Sequence, residues 1–332
     1  MKSFNSRILS ALVPAAIGLT TTLTVATAHA QSDDPNKTVT IVIPTAGTGI
    51  ENDVRFFIQS IETTNPGVHF IMEPRPGAAS TIGSAYVAKA KPDGYTLLAP
   101  NTALTIASAV YPDLPYDVTK DFTPITLLMQ KAYLLLVNAN TPFKSVKEYL
   151  DFARANPNKL NFSTSGAGSS THLPGAMLHY VTKTEVTFVH YKRSADRVLD
   201  LVTGRVDAAV GTYATMLPNI KSGKVRPLAV TTSKRIASAP ELPTIAEAGV
   251  PGFEYSSWTG LLGPAKMPPA IVDKLNRIWA ASLKDPVVIK KLEADGTLPV
   301  GSSPAEFQKF IVADAARWKS LINDTGIKVQ EE

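Results

Sequence analysis

Cysteine is absent from all 332 residues. That excludes disulfides, thiol nucleophiles, thiolate metal sites and a lipid-anchored mature amino terminus together. Clustered positive charge is missing too. The net charge is +5, but the adjacent basic pairs Lys192-Arg193, Lys234-Arg235 and Lys290-Lys291 are far apart, and a nucleic-acid footprint needs a stripe. After residue 30 no run approaches the ~18 apolar residues of a membrane span. Enzyme signatures fail one by one. No serine has glycine at both −2 and +2, so the nucleophile elbow is absent. His69, His172, His179 and His190 contain no His-Glu-x-x-His spacing. The Gly47-x-Gly49 pair meets Asn52 where a dinucleotide fingerprint has its third glycine, and Gly223-Lys224 is followed by valine rather than the Ser or Thr of a phosphate loop. No metal, cofactor or catalytic group is therefore expected.

What is present begins with a leader. Lys2 and Arg7 precede an uncharged stretch from Ile8 to Thr27, diluted by Pro14 and Gly18, and Ala28-His29-Ala30 offers small residues at both positions a signal peptidase reads. Cleavage after Ala30 is expected, with an exported chain starting at Gln31. The 332 residues less those thirty leave 302, enough for two ordinary domains. Loss of Lys2 and Arg7 takes the charge from +5 to +3, a mild balance that favours capture of small anions. Hydrophobic content of 44% against 18% charged describes a globular protein with a substantial core.

Short β-branched runs alternate with amphipathic stretches, the pattern of an α/β protein with mainly parallel sheets. Strands are predicted at 38–43, 68–72, 95–98, 132–137, 160–163, 186–189, 206–210 and 225–230, with helices between them. Ser145 with Glu148, and Ser303-Pro304 with Glu306, are capping boxes that open helices. Gly204 ends another. Two sets of β-α units followed by a helical tail give two lobes.

Two loops lie where a parallel sheet presents its carboxyl edge: Pro44-Thr-Ala-Gly-Thr-Gly49 and Ser163-Thr-Ser-Gly-Ala-Gly-Ser-Ser-Thr171. Small residues let backbone N–H groups approach a ligand, and the next helix's first turn offers unpaired donors that suit a carboxylate or phosphate. Solvated turns are the plain alternative. Ser170 with His172 forms a conceivable catalytic pair, although no orienting acid is identifiable. Trp258 reads as a strand core residue or a cleft wall, and Lys192 and Arg193 as a second anion contact or a solvated surface.

Arg75-Pro-Gly-Ala-Ala-Ser-Thr-Ile-Gly83 and Ala90-Lys-Pro-Asp-Gly-Tyr-Thr-Leu-Leu98 resemble the paired motif of Bug-type substrate-binding proteins of tripartite tricarboxylate transporters. The resemblance continues in order through Tyr116-Asp117, Asp121-Phe-Thr-Pro124, Ser165-Gly-Ala-Gly-Ser-Ser-Thr-His172, His190-Tyr-Lys192, Gly204-Arg-Val-Asp207, Gly223-Lys-Val-Arg-Pro-Leu-Ala-Val230, Leu242-Pro-Thr244, Glu247-Ala-Gly249 and Trp258-Thr-Gly260 with Pro264. It implies a periplasmic-binding-protein type II-like fold: two Rossmann-like lobes around a central ligand cleft, the first from 31–131 plus 254–332, the second from 132–253. It further implies a monomeric, non-catalytic periplasmic protein that closes on a small organic carboxylate and delivers it to membrane permease subunits. A periplasmic sensor feeding a membrane kinase or receptor, and a secreted hydrolase using Ser170 and His172, are the alternatives.

The resemblance assigns the carboxylate grip to Thr45, Thr48, Gly49, Gly77, Ala78 and Ala79. From the second lobe it adds Thr164, Ser165, Gly168, Ser170, Thr171, His172, Lys192, Arg193 and Asp207. Two departures touch this site. The first turn usually reads Pro-Phe-x-x-Gly-Gly-x-x-Asp, and here Asp53 comes one position late; Arg193-Ser194 replaces a glycine-containing pair. Arg193 is accordingly expected to select among ligands.

Overall fold

The computed structural model describes residues 38–45, 50–191 and 193–325. The first units are β1 (Val39–Ile43), α1 (Ile50–Thr64), β2 (Phe70–Pro74), α2 (Thr81–Ala88), β3 (Thr96–Leu98) and α3 (Ala103–Val110). Then come β4 (Phe122–Asn138), α4 (Val146–Ala155), β5 (Asn161–Thr164), α5 (Leu173–Thr182) and β6 (Thr187–His190). These are followed by α6 (Ser194–Thr203), β7 (Ala208–Thr212), α7 (Tyr213–Lys221) and β8 (Val225–Val230). The carboxyl part adds β9 (Ser256–Pro264), α8 (Pro269–Ser282), α9 (Pro286–Ala294), β10 (Thr297–Pro299) and α10 (Pro304–Thr325).

β1 runs parallel to β2 and β3, and β5 parallel to β6 and β7, as alternating β-α units require. β4 joins the two parallel sets. Its 17 residues are about three times the usual strand. Phe122 to Ala132 pair antiparallel with β9, whereas Tyr133 to Val137 pair with β7 and Leu134 to Asn138 with β8. The half-buried Gln130 and Lys131 mark the exchange of partners in an otherwise almost wholly buried strand. The path β2-β1-β3-β9-β4-β7-β5-β6 is thus one curled, mixed sheet.

Separate cores lie against the two sets. Ile41, Ile43, Phe57, Leu97 and Trp279 pack on the first, and Leu135, Val137, Tyr149, Phe162 and Leu173 on the second. α10 spans both: Phe307 and Ile311 join Trp258 and Leu262, while Trp318 and Leu321 join the second core. Gly260 permits this close approach, since a Cβ there would lie 2.2 Å from Phe307 Cζ. Asp314 fixes the middle of α10. Buried, it accepts from Thr105 Oγ1 (2.6 Å), Trp258 Nε1 (2.9 Å), Trp318 Nε1 (3.2 Å) and Arg317 (2.5 Å).

One capping box forms in full and the other in half. Ser303 Oγ accepts the Glu306 N–H at 3.3 Å while the Glu306 carboxylate takes the Ser303 N–H at 2.8 Å. At α4, Ser145 caps Glu148, but the Glu148 carboxylate reaches the Lys144 N–H instead. α6 ends at Gly204, whose φ is 77°.

Candidate functional site

The carboxyl ends of β1 and β2 are held side by side, with the Arg75 N–H donating to Ile43 O at 2.9 Å. Gly83 of α2 lies beneath both turns: a Cβ there would sit 2.8 Å from Arg75 O and 3.0 Å from Pro44 Cα. The chain leaving β2 then turns through four successive left-handed residues, Gly77 (φ 129°), Ala78 (44°), Ala79 (50°) and Ser80 (79°). For residues other than glycine this conformation costs roughly 1–2 kcal/mol each, and strain of this kind collects at functional sites. The buried Ser80 hydroxyl has no hydrogen-bond partner among the described residues. Gly77, Ala78 and Ala79 therefore form one strained turn. Thr45 lies half-buried two residues past the end of β1, and Thr48 and Gly49 lie outside the described residues.

The second parallel set presents residues 164–172 at its own carboxyl edge. Here the hydroxyls organise the loop. Thr171 Oγ1 accepts the Ser165 N–H at 2.9 Å and bonds the hydroxyls of Ser165 (2.9 Å) and Ser169 (3.1 Å). Thr164 Oγ1 bonds His190 Nδ1 at 2.6 Å, and the Gly168 N–H donates to His172 Nδ1 at 3.0 Å. Burial, with His190 beside it, lowers the His172 pKa from 6.5 to about 4, so the ring is neutral. Since Nδ1 accepts, Nε2 carries the remaining proton. Ser170 is exposed, and its carbonyl accepts from the Tyr255 hydroxyl at 3.1 Å. Thr164, Ser165, Gly168, Ser170, Thr171 and His172 are thus brought together.

Two other expected residues have partners outside this loop. Arg193 is exposed, its side chain 76% accessible and 3.8 Å from Asp196. Asp207 precedes β7 at the amino edge of the set, where its carboxylate takes the Asn161 N–H at 2.8 Å. Asn161 and Thr164 are opposite ends of β5, so Asp207 is a strand-register residue, about 10 Å from the loop by strand rise. Lys192 lies outside the described residues. Asp53, the displaced acid, is buried on α1 and paired with Lys131 at 2.5 Å; burial raises its pKa and Lys131 opposes that rise. The ion pair ties α1 to the place where β4 changes partners. Trp258 is a core residue, fully buried.

Residues 62–327 match the family described as Tripartite tricarboxylate transporter family receptor. The chain belongs to that family. Among solved structures it is similar to the periplasmic binding protein BugD, at 30% identity and a TM-score of 0.69 over 89% of this chain and 100% of that one. It is also similar to Rpa4515 of R. palustris with adipate (35%, TM-score 0.72, covering 88% and 98%). A third is MatC from Rhodopseudomonas palustris with bound malate (31%, TM-score 0.68, covering 87% and 99%). This receptor therefore has the fold of periplasmic solute-binding proteins, and among its described residues no helix is long and apolar enough to cross a membrane.

The receptor also holds residues that the sequence reading did not single out. Tyr133, where β4 changes partners, stacks edge-on against Tyr255 at 5.3 Å, and its phenol lies among the hydroxyls of Ser170 and Ser257 and near Arg197. Ser80 stands at the end of the strained turn. Each occupies an ordinary amphipathic or apolar pattern, so only tertiary contacts reveal it. An apolar groove formed by Met177, Tyr180, Val181 and Phe253 lies at the far end of α5 from the loop.

Proposed function

We propose that this receptor captures a small organic carboxylate in the periplasm and delivers it unchanged to the permease subunits of a tripartite tricarboxylate transporter. The observation that carries this reading is a shared fold, at 35% and 31% identity, with proteins holding adipate and malate. In this reading the leader is cleaved after Ala30 and the mature protein acts as a monomer. One lobe comprises residues 31–131 plus 254–332 and the other 132–253, with hinges where β4 exchanges partners and where β9 begins. The exchange at Ala132 and Tyr133 supports the first boundary.

The ligand's carboxylate meets backbone N–H groups of the turns at Thr45–Gly49 and Gly77–Ala79, with the Ser80 hydroxyl as an additional donor. The loop at 164–172 and Lys192 close over it, so ligand favours the closed state to the extent of those added contacts. Thr171 acts by shaping the loop, because its hydroxyl is already engaged three times. Asp207 serves the sheet.

Hydrolysis by Ser170 and His172 is the weaker reading. His172 Nδ1 is occupied by the Gly168 N–H, the ring's low pKa makes it a poor base, and its ring neighbours are Phe188 and His190 rather than an orienting carboxylate. A thermal-shift screen of mono-, di- and tricarboxylates tests capture directly. A bound acid at about 100 times its dissociation constant adds ~2.7 kcal/mol to native stability. A flat response across the screen contradicts the proposal. Loss of uptake on deleting adjacent permease genes separates transport from sensing.

A further inference from the structure

Four residues beyond the exposed Arg193 lies a second, buried arginine. Arg197 stands in the first turn of α6, at the carboxyl edge of the second parallel set, and is only 4% exposed. One Nη1–H donates to Val210 O at 2.9 Å. Val210 lies two residues before β7 ends at Thr212, and Thr212 is paired with Tyr133. The guanidinium also acts electrostatically on the Tyr133 phenol, whose other neighbours are the Ser170 and Ser257 hydroxyls. Arg197 therefore sits where the 164–172 loop, the partner exchange of β4 and the start of β9 converge. Carboxyl edges of this kind are where α/β folds bind ligands.

Among the described residues this cation has no counter-charge. The acids of its own helix face elsewhere: Asp196 lies 3.8 Å from Arg193, and Asp200 holds Arg205 at 3.0 Å and the Tyr191 hydroxyl at 2.8 Å. Among the described residues no carboxylate pairs with Arg197. A guanidinium carries five N–H donors, of which Val210 O takes one, and Nε is buried without a partner among the described residues. Burying an arginine unpaired is costly, and the fold gains nothing from it alone. The planar fork that remains fits a carboxylate through two parallel hydrogen bonds.

We propose that Arg197 reads the distal charge of the ligand: it pairs with the second carboxylate of a dicarboxylate whose first carboxylate is held by the turn at residues 77–80. The ligand class is then small dianionic acids rather than carboxylates in general. This inference rests on the carboxylate reading above and narrows it.

The test compares each diacid with its own monoamide, which keeps size and one carboxylate but loses the second charge. Straight-chain diacids of four to eight carbons and the benzene dicarboxylates serve as probes, titrated by calorimetry into the wild-type mature protein, Arg197→Gln and Arg197→Lys. For the best probe the wild type should favour diacid over monoamide by about ten- to a hundredfold, the range of one charge-assisted interaction. In Arg197→Gln that ratio should collapse toward one, and Arg197→Lys should retain part of it. A wild-type ratio near one overturns the proposal even if neither variant folds. An unchanged ratio in folded Arg197→Gln overturns it as well. Absence of binding by every diacid and every monoamide removes the carboxylate reading itself, and this inference with it.

Discussion

Two buried histidines make this fold sensitive to mild acid. His172 and His179 are 5% and 4% exposed, and burial takes the pKa of each from 6.5 down to about 4. His179 is wedged between the Tyr149 hydroxyl (3.0 Å) and Thr184 Oγ1 (2.7 Å), and His172 faces His190. Because the folded values lie below the unfolded ones, the unfolded chain binds more protons between pH 6.5 and 4. The resulting stability is fully present above pH 6.5 and is lost as pH falls through that window. A shift of this size corresponds to roughly 3 kcal/mol per ring, of which about 2 is already lost at pH 5. Both rings together should cost ~4 kcal/mol between pH 7.5 and 5, a large share of the ~5–15 kcal/mol typical of a domain. Urea unfolding followed by the fluorescence of the buried Trp258, Trp279 and Trp318 reads this loss. In His179→Gln the fall from pH 7.5 to 5 should be smaller by about 2 kcal/mol, whatever the variant costs at neutral pH. An equally steep fall in the variant would refute the assignment of the acid sensitivity to this ring.

Other outcomes follow from the same geometry. Asp314→Ala strands the buried indole N–H groups of Trp258 and Trp318 and the Thr105 hydroxyl, and should cost about 3–5 kcal/mol in urea unfolding; a loss below 1 would mean that this network contributes little. Ser80→Gly removes a left-handed serine and an unpaired buried hydroxyl, so stability should rise by ~1 kcal/mol while carboxylate affinity falls. Unchanged affinity would take Ser80 out of the site. Arg193→Gly should leave the ranking of carboxylates as it is, because the side chain is in solvent; a reordered ranking would restore Arg193 as a selector.

How far the sequence reached depends on which contacts decide each feature. Capping at Ser145 and Ser303 and the stop at Gly204 are local events within four residues, and each appears where the residue pattern places it. The parallel strands are short apolar runs, and their positions shift by only one or two residues. The first half of β4 escaped because Pro124 interrupts it and near-complete burial erases alternation. The mostly apolar α3, with no charged residue, and the Pro218-containing α7 carry little amphipathic signal. At the site, the 164–172 loop was legible from its glycines and hydroxyls, but not the commitment of Thr171 to the loop itself. Arg193 attracted notice as a departure from a family pattern, and Asp207 as part of a motif; one lies in solvent and the other pins Asn161. Arg197 is, in the sequence, one charged residue of several along α6. Its burial depends on reaching Val210, thirteen residues away, and no spacing rule encodes that contact.

The most direct measurement is calorimetric titration of the purified mature protein with adipate, malate and their homologues, followed by mass analysis of the recovered acid. Capture for transport predicts saturable binding of one molecule per chain with the acid recovered intact. Heat from none of the acids, or recovery of a chemically altered product, would contradict the account.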